Sequence, residues 1–166
     1  MKKLLFIAAF TAVSFLGQAQ DDASSPLRFS IGFDAALQLG DFGDAYSFGI
    51  GGSVQADYSV AEQLALTLSA GYMNYSGKTV SGFKIPSTGL VPVLAGIKYS
   101  FTENLYGSAQ LGMSFSTEKN GGSSFTYAPG IGYKFTPNFD ALLKYTGMSD
   151  DGTNLNQIGL RLAYTF

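Results

Sequence analysis

Cysteine is absent from this 166-residue chain, and so are histidine and tryptophan. Without cysteine there is no disulfide framework, no thiolate metal site and no lipoprotein anchor. Without histidine the commonest general base and metal ligand is missing. Charged residues make up only 13%, about half the usual share. Hydrophobic residues reach 46%, too many for a disordered chain. Yet no run after residue 20 resembles a membrane-spanning helix, which needs about 20 apolar residues. Five prolines rule out a Pro-rich linker, and the length suits one domain. What abounds is glycine, with 21 residues, and aromatics, with 14 Phe and 10 Tyr.

The first twenty residues read as a targeting segment. Lys2 and Lys3 form a positive start, and Leu4 to Leu16 is apolar but for Thr11 and Ser14. Gly17-Gln18-Ala19 supplies the small residues a signal peptidase needs. A cleaved signal peptide over 1–19 and one domain over 20–166 are expected. A membrane anchor is disfavoured because the apolar stretch is too short. Without Lys2 and Lys3, eight basic residues face twelve acidic ones, a net charge of −4. No basic stripe marks a nucleic-acid surface.

Beyond the signal, alternation of apolar and polar residues dominates and helical periodicity is nearly invisible. Eight segments show it: Leu27–Gln38, Phe48–Tyr58, Leu64–Tyr72, Val91–Phe101, Leu105–Phe115, Phe125–Phe135, Phe139–Tyr145 and Ile158–Phe166. In the first, Leu27, Phe29, Ile31 and Phe33 alternate with Arg28, Ser30, Gly32 and Asp34. Short connections at Ala61-Glu62-Gln63, Thr102-Glu103-Asn104 and Thr136-Pro137-Asn138 alternate with longer polar ones. The longer loops are Gly40–Tyr46, Ser76–Gly89, Thr117–Ser124 and Gly147–Asn154. Such segregation is what transmembrane barrels show.

An internal repeat reinforces the pattern. Even-numbered strands end in Tyr58-Ser59-Val60, Tyr99-Ser100-Phe101, Tyr133-Lys134-Phe135 and Tyr164-Thr165-Phe166, at spacings of 41, 34 and 31 residues. Tyr58, Tyr99, Phe101, Tyr133, Phe135, Tyr164 and Phe166 thus fall at one level, where an interfacial aromatic girdle belongs.

The polar face consists mainly of Gly, Ser, Ala and Thr, with far fewer Lys and Glu than a water-exposed sheet carries. The apolar face is therefore assigned to lipid. In hydrocarbon the backbone must pair within the protein, which leaves helices and closed barrels. The expected fold is all-β, an eight-stranded antiparallel up-and-down transmembrane β-barrel. Its narrow lumen would hold Arg28, Asp34, Gln55, Asp57, Lys98, Gln110, Lys134, Asp140, Lys144 and Arg161 as a polar network. An ion pair of Asp34 with Arg161 across the closing seam is expected, because unpaired buried charges are costly. This set reads as a plug that fixes the barrel rather than as an ion path. Pro92 and Pro129 interrupt strands, so Pro92 is expected near the outer rim and Pro129 at a bulge or local distortion.

With these features assembled, the chain resembles the small OmpA/OmpX-type outer-membrane barrels, often labelled "porin family" or "outer membrane protein β-barrel domain". The resemblance covers roughly Leu27 to Phe166. Its most specific element is the closing strand with Ile158, Leu160, Leu162, Tyr164 and Phe166. In such families a C-terminal aromatic strand is the signal read by the barrel-assembly machinery, which implies that role for Leu160, Leu162, Tyr164 and Phe166. Barrel enzymes of similar fold rely on a catalytic histidine, which this chain lacks. The expectation is therefore no enzyme, no cofactor and no metal. Asp150-Asp151 reads as a solvated turn, and Gly49-Ile50-Gly51-Gly52 lies in a strand with no helix to receive a phosphate.

Three functions stay open: a structural or surface-interaction barrel in the cell envelope, a narrow porin-like channel, and an exported soluble ligand-binding barrel. Membrane lipid and the assembly machinery are the expected partners of a monomer, with any extracellular partner unidentified. Conductance in planar bilayers separates the first two, and the periplasmic soluble fraction tests the third.

Overall fold

The computed structural model describes residues 26–80, 82–118, 121–150 and 153–166. The expected signal peptide over 1–19 lies outside the described residues. Strands run β1 (Leu27–Leu39), β2 (Tyr46–Ala61), β3 (Leu64–Gly77), β4 (Thr79–Val80), β5 (Phe83–Lys84) and β6 (Thr88–Ser100). They continue as β7 (Leu105–Ser116), β8 (Ser123–Lys134), β9 (Phe139–Asp150) and β10 (Thr153–Thr165). A short helix, α1 (Asp41–Ala45), sits between β1 and β2. Eight strands close in the order β1-β10-β9-β8-β7-β6-β3-β2, every pair antiparallel. β4 and β5 form a separate hairpin in the longest loop. This is the up-and-down barrel expected.

Side-chain exposure settles which face is which. Phe33, Leu68, Leu111 and Val54 are each more than half exposed on the outer surface. Asp34, Arg161, Gln110 and Asp140 are at most 5% exposed in the lumen. A water-soluble barrel has the opposite arrangement, so the soluble-barrel reading falls away. The apolar belt faces acyl chains, where backbone groups find partners only within the closed ladder.

The seam between first and last strands is long. Ser30 pairs with Thr165 and the ladder continues without a shift to Leu39 and Asn156. Phe166 N–H donates to the Phe29 carbonyl at 2.9 Å, extending the seam by one residue. Pro26 and Phe166, the first and last described residues, lie at the same end of the barrel as the three short turns. There the repeated motif has a repeated structure: the Thr102 hydroxyl accepts N–H groups of Asn104 and Leu105, and the Thr136 hydroxyl those of Asn138 and Phe139. The Asn of each turn then reaches the next hairpin, Asn104 donating to the Lys134 carbonyl at 2.9 Å and Asn138 to the Thr165 carbonyl at 2.7 Å. The turns are thereby stitched around the rim. Above them Tyr99–Phe101, Tyr133–Phe135 and Tyr164–Phe166 form edge-on ring pairs, each with centroids 5.4 Å apart.

Several strands run further toward the loop end than alternation suggests. β3 continues from Tyr72 to Gly77, and β9 from Tyr145 to Asp150. β10 starts at Thr153 rather than Ile158, so β9 and β10 take in residues expected in the fourth loop. The reason is an inversion of polarity: near this end Met73, Tyr75 and Met148 point inward and are buried, while Ser149 on the outside is exposed. Clear of the hydrocarbon, the sheet reverts to an apolar interior, and the lipid-facing pattern stops before the strand does. The helix α1 and the β4–β5 hairpin also arise without an alternation signal. Gly40 at φ 59° and Gly82 at φ 84° supply the left-handed turns that these elements need.

Both strand prolines are accommodated without a bulge. The β3–β6 ladder skips from Ala70↔Val93 to Met73↔Leu90, and the β8–β9 ladder from Tyr127↔Gly147 to Gly130↔Lys144. Register is the same on both sides of each gap. Pro92 lies opposite Ser114, close to the loop-end limit of the β6–β7 ladder at Leu90 and Ser116 and so near the outer rim, and Pro129 lies opposite Ala109. Each keeps its ladder on the other side, so only one seam opens.

The lipid-facing assignment makes a measurable prediction. Leu111→Arg, at the middle of β7, should lower stability by about 2–4 kcal/mol in urea unfolding from lipid vesicles, the cost of a cation at the bilayer centre. An unchanged midpoint would contradict the assignment.

Candidate functional site: the barrel lumen

All ten residues expected in the lumen lie on the inward parity of their strands, but they separate into two groups. The upper group is a belt around Asp34. Lys144 Nζ stands 2.8 Å from Asp34 Oδ1, an ion pair with the carboxylate only 4% exposed. The Ser53 hydroxyl donates to Asp34 Oδ2 at 2.5 Å and accepts from Arg161 Nε at 2.8 Å. Arg161 Nη2 donates to the Ser30 hydroxyl at 3.1 Å.

The expected Asp34–Arg161 ion pair is not formed. The two residues are direct cross-strand partners, yet Ser53 stands between their charged groups. Space explains the detour. A Cβ on Gly32 would lie 2.5 Å from Arg161 Nε, so the guanidinium occupies the room left by that glycine and leans toward β2. Lys144, coming from the next strand, takes the vacant carboxylate oxygen.

The lower group centres on Asp57 and Asp140. Lys98 Nζ pairs with Asp57 Oδ2 at 3.0 Å, and Gln55 Nε2 donates to Asp57 Oδ1 at 2.7 Å. Gln110 Nε2 donates to the Thr67 hydroxyl at 3.0 Å, which bridges the space above. Lys134 and Arg28 lie at the turn-end mouth, Arg28 donating to the Pro137 carbonyl at 3.2 Å.

Outside the expected set, Thr67, Ser114, Thr126 and Gln157 are also buried in the lumen, together with two tyrosines. Tyr106, 2% exposed, donates its hydroxyl to Asp140 Oδ1 at 2.7 Å, and Lys98 Nζ lies 4.4 Å above its ring. Tyr75, 1% exposed, packs with Ala36, Met73 and Met148 into an apolar cap at the loop end. Each tyrosine lies over its cross-strand glycine: a Cβ on Gly132 would fall 2.1 Å from the Tyr106 ring, and one on Gly49 2.6 Å from Tyr75. A tyrosine on the glycine-rich parity was the available sequence signal for both.

Free space in the lumen is divided. A cavity of about 190 Å³ opens at the turn end beside Arg28, Asp57, Lys98 and Lys134. A second, of about 40 Å³, lies under the apolar cap beside Asp34, Tyr75, Lys144 and Gln157. Gln55, Thr67, Gln110 and the Arg161–Ser53 pair fill the level between them. The seven girdle aromatics, from Tyr58 to Phe166, all lie on the outer surface and are 41–57% exposed. Leu160 and Leu162 occupy the same outer face of β10.

A family model described as the outer membrane protein beta-barrel domain matches residues 8–166. The chain belongs to this family. Its members are outer-membrane barrels, and this barrel is accordingly an outer-membrane protein. No curated protein sequence matches the chain. Among solved structures it is similar to the N-terminal barrel domain of OprF from Pseudomonas aeruginosa, with 16% identity, a TM-score of 0.62, and coverage of 86% of this chain and 98% of that one. It is also similar to Ail, the attachment invasion locus protein of Yersinia pestis, with 18% identity, a TM-score of 0.60, and coverage of 84% and 97%. Neisserial surface protein A follows at 18% identity and a TM-score of 0.54, covering 87% and 98%. Likeness at these identities is one of fold.

Two substitutions probe the family member's lumen. Lys144→Met leaves the Asp34 carboxylate buried without its cation and should cost about 3 kcal/mol, whereas replacing both residues by Leu should cost less. Gly132→Val should displace Tyr106 and cost about 1–3 kcal/mol. Urea unfolding monitored by heat-modifiable gel migration reads both.

Proposed function

We propose that this protein is an integral outer-membrane barrel with a structural or surface-interaction role in the cell envelope. The observation that carries the reading is the filled lumen. Side chains from facing strands close the level between the two cavities, and an eight-stranded barrel has room for little else. Activity then resides on the rims rather than along a pore. In this reading the loop end faces outward and the turn end faces the periplasm, as in barrels of this kind.

The loop end has features suited to contact. The β4–β5 hairpin presents Phe83 at 81% exposure beside Lys84, and α1 is held down by Lys78, whose Nζ donates to the Gly43 carbonyl at 2.6 Å. Among the similar structures, Ail has been solved in complex with a heparin analogue, sucrose octasulfate. An outward rim that engages surface molecules is the corresponding reading for this chain.

The proposal includes export by a signal peptide cleaved after Ala19 and insertion as a monomer. It also includes recognition of Leu160, Leu162, Tyr164 and Phe166 by the barrel-assembly machinery. It assigns no catalysis and no cofactor, resting on the absence of histidine and cysteine from the sequence. The second reading, a narrow channel, is favoured by one observation: the lumen between its ends is lined by polar and charged groups.

Planar-bilayer recording of the purified barrel separates the two. The structural reading expects a flat trace with no discrete steps, and reproducible unitary currents would replace it with the channel reading. In a deletion strain, the same reading expects impaired envelope integrity or adhesion, restored by the wild-type chain.

A further inference from the structure

The turn-end cavity has charges of unequal standing. Its acids are engaged from within: Asp57 accepts from Lys98 and Gln55, and Asp140 accepts from Tyr106. Two of its cations are not. Lys134 is the cross-strand partner of Asp140, yet its ammonium group forms no ion pair or hydrogen bond among the described residues. Arg28 uses one guanidinium nitrogen on the Pro137 carbonyl, and its other N–H groups have no acceptor among the described residues. Both line one cavity of about 190 Å³, far above the roughly 10–15 Å³ that admits a single water. The remaining acid on its lining, Glu62, sits on the exposed β2–β3 turn.

We propose that this cavity binds a small oxyanion or carboxylate from the solution at the turn end, held by Lys134 and Arg28. The Lys98–Asp57 pair and the Tyr106–Asp140 bond form a rigid floor beneath it. They already give each of the two acids a donor from within the barrel, which leaves the Lys134 and Arg28 donors to an entering anion. A guanidinium offers a fork of N–H donors to an oxyanion, and an ammonium adds a point charge beside it. This floor stands at the inner end of the cavity, so the ligand enters and leaves by the turn-end mouth.

The test is calorimetric titration of the full chain, refolded in zwitterionic-lipid nanodiscs, with inorganic phosphate at constant ionic strength. Saturable binding is expected, weakened by roughly tenfold in Lys134→Gln and again in Lys134→Gln/Arg28→Gln, with Lys84→Gln behaving as wild type. Heat-modifiable migration confirms that each variant is folded, and neither Lys134 nor Arg28 holds the network together. Equal affinity in wild type and Lys134→Gln, or uptake without saturation, would sink the proposal. Nanodiscs containing phosphatidylglycerol distinguish a free anion from a lipid headgroup. Unchanged phosphate affinity supports the former, and loss of binding assigns the site to the headgroup and overturns it. Binding that emerges only after Asp21 and Asp22 are both changed to Asn would mean that the chain's own acids fill the cavity, and would likewise overturn it.

Discussion

A peptide bond in hydrocarbon has no water to turn to, and each unpaired N–H or C=O there costs several kcal/mol. The protein meets this constraint with eight antiparallel ladders that close on themselves. The β1–β10 seam is therefore as important as any core contact, since it removes the last two edges. The C-terminal residue takes part directly, with Phe166 donating its N–H to Phe29. Pro92 and Pro129 are the places where the constraint is relaxed, and the unbroken register around each shows that the rest of the ladder holds the strands in phase.

Closure at eight strands dictates the lumen. It is too narrow for water-filled space along its length, yet the inward parity must remain polar where the outward parity is apolar. Glycine and serine resolve the crowding by leaving room for a few long side chains. Arg161 lies over Gly32, Tyr106 over Gly132 and Tyr75 over Gly49. Charges are then neutralised in place: Lys144 with Asp34, Lys98 with Asp57. Arg161 differs within the upper belt, satisfied by serine hydroxyls and reaching a carboxylate only through Ser53.

Membership of the lumen was legible because parity in a strand is binary. Once Phe33 faces lipid, Asp34 must face inward, and the same logic places Gln55, Gln110 and Lys144. The pairing of those residues was not legible. Asp34 and Arg161 are register neighbours with complementary charges, but the route of a long side chain depends on which neighbouring position is glycine. The cap of Met73, Tyr75 and Met148 was missed for a related reason. Alternation reports the medium outside the sheet, and at the loop end that medium changes from lipid to water while the strand continues.

The amino-acid sequence by itself determined the number of barrel strands, the lipid-facing parity, the two kinds of connection and the aromatic rim. All four follow from local chemistry repeated along the chain. Only the tertiary structure decided where strands end, how the prolines are absorbed, which charges meet and how the lumen divides into two cavities. Those outcomes depend on contacts between strands far apart in sequence, whose side chains compete for the same confined volume, and no local pattern records who wins that competition.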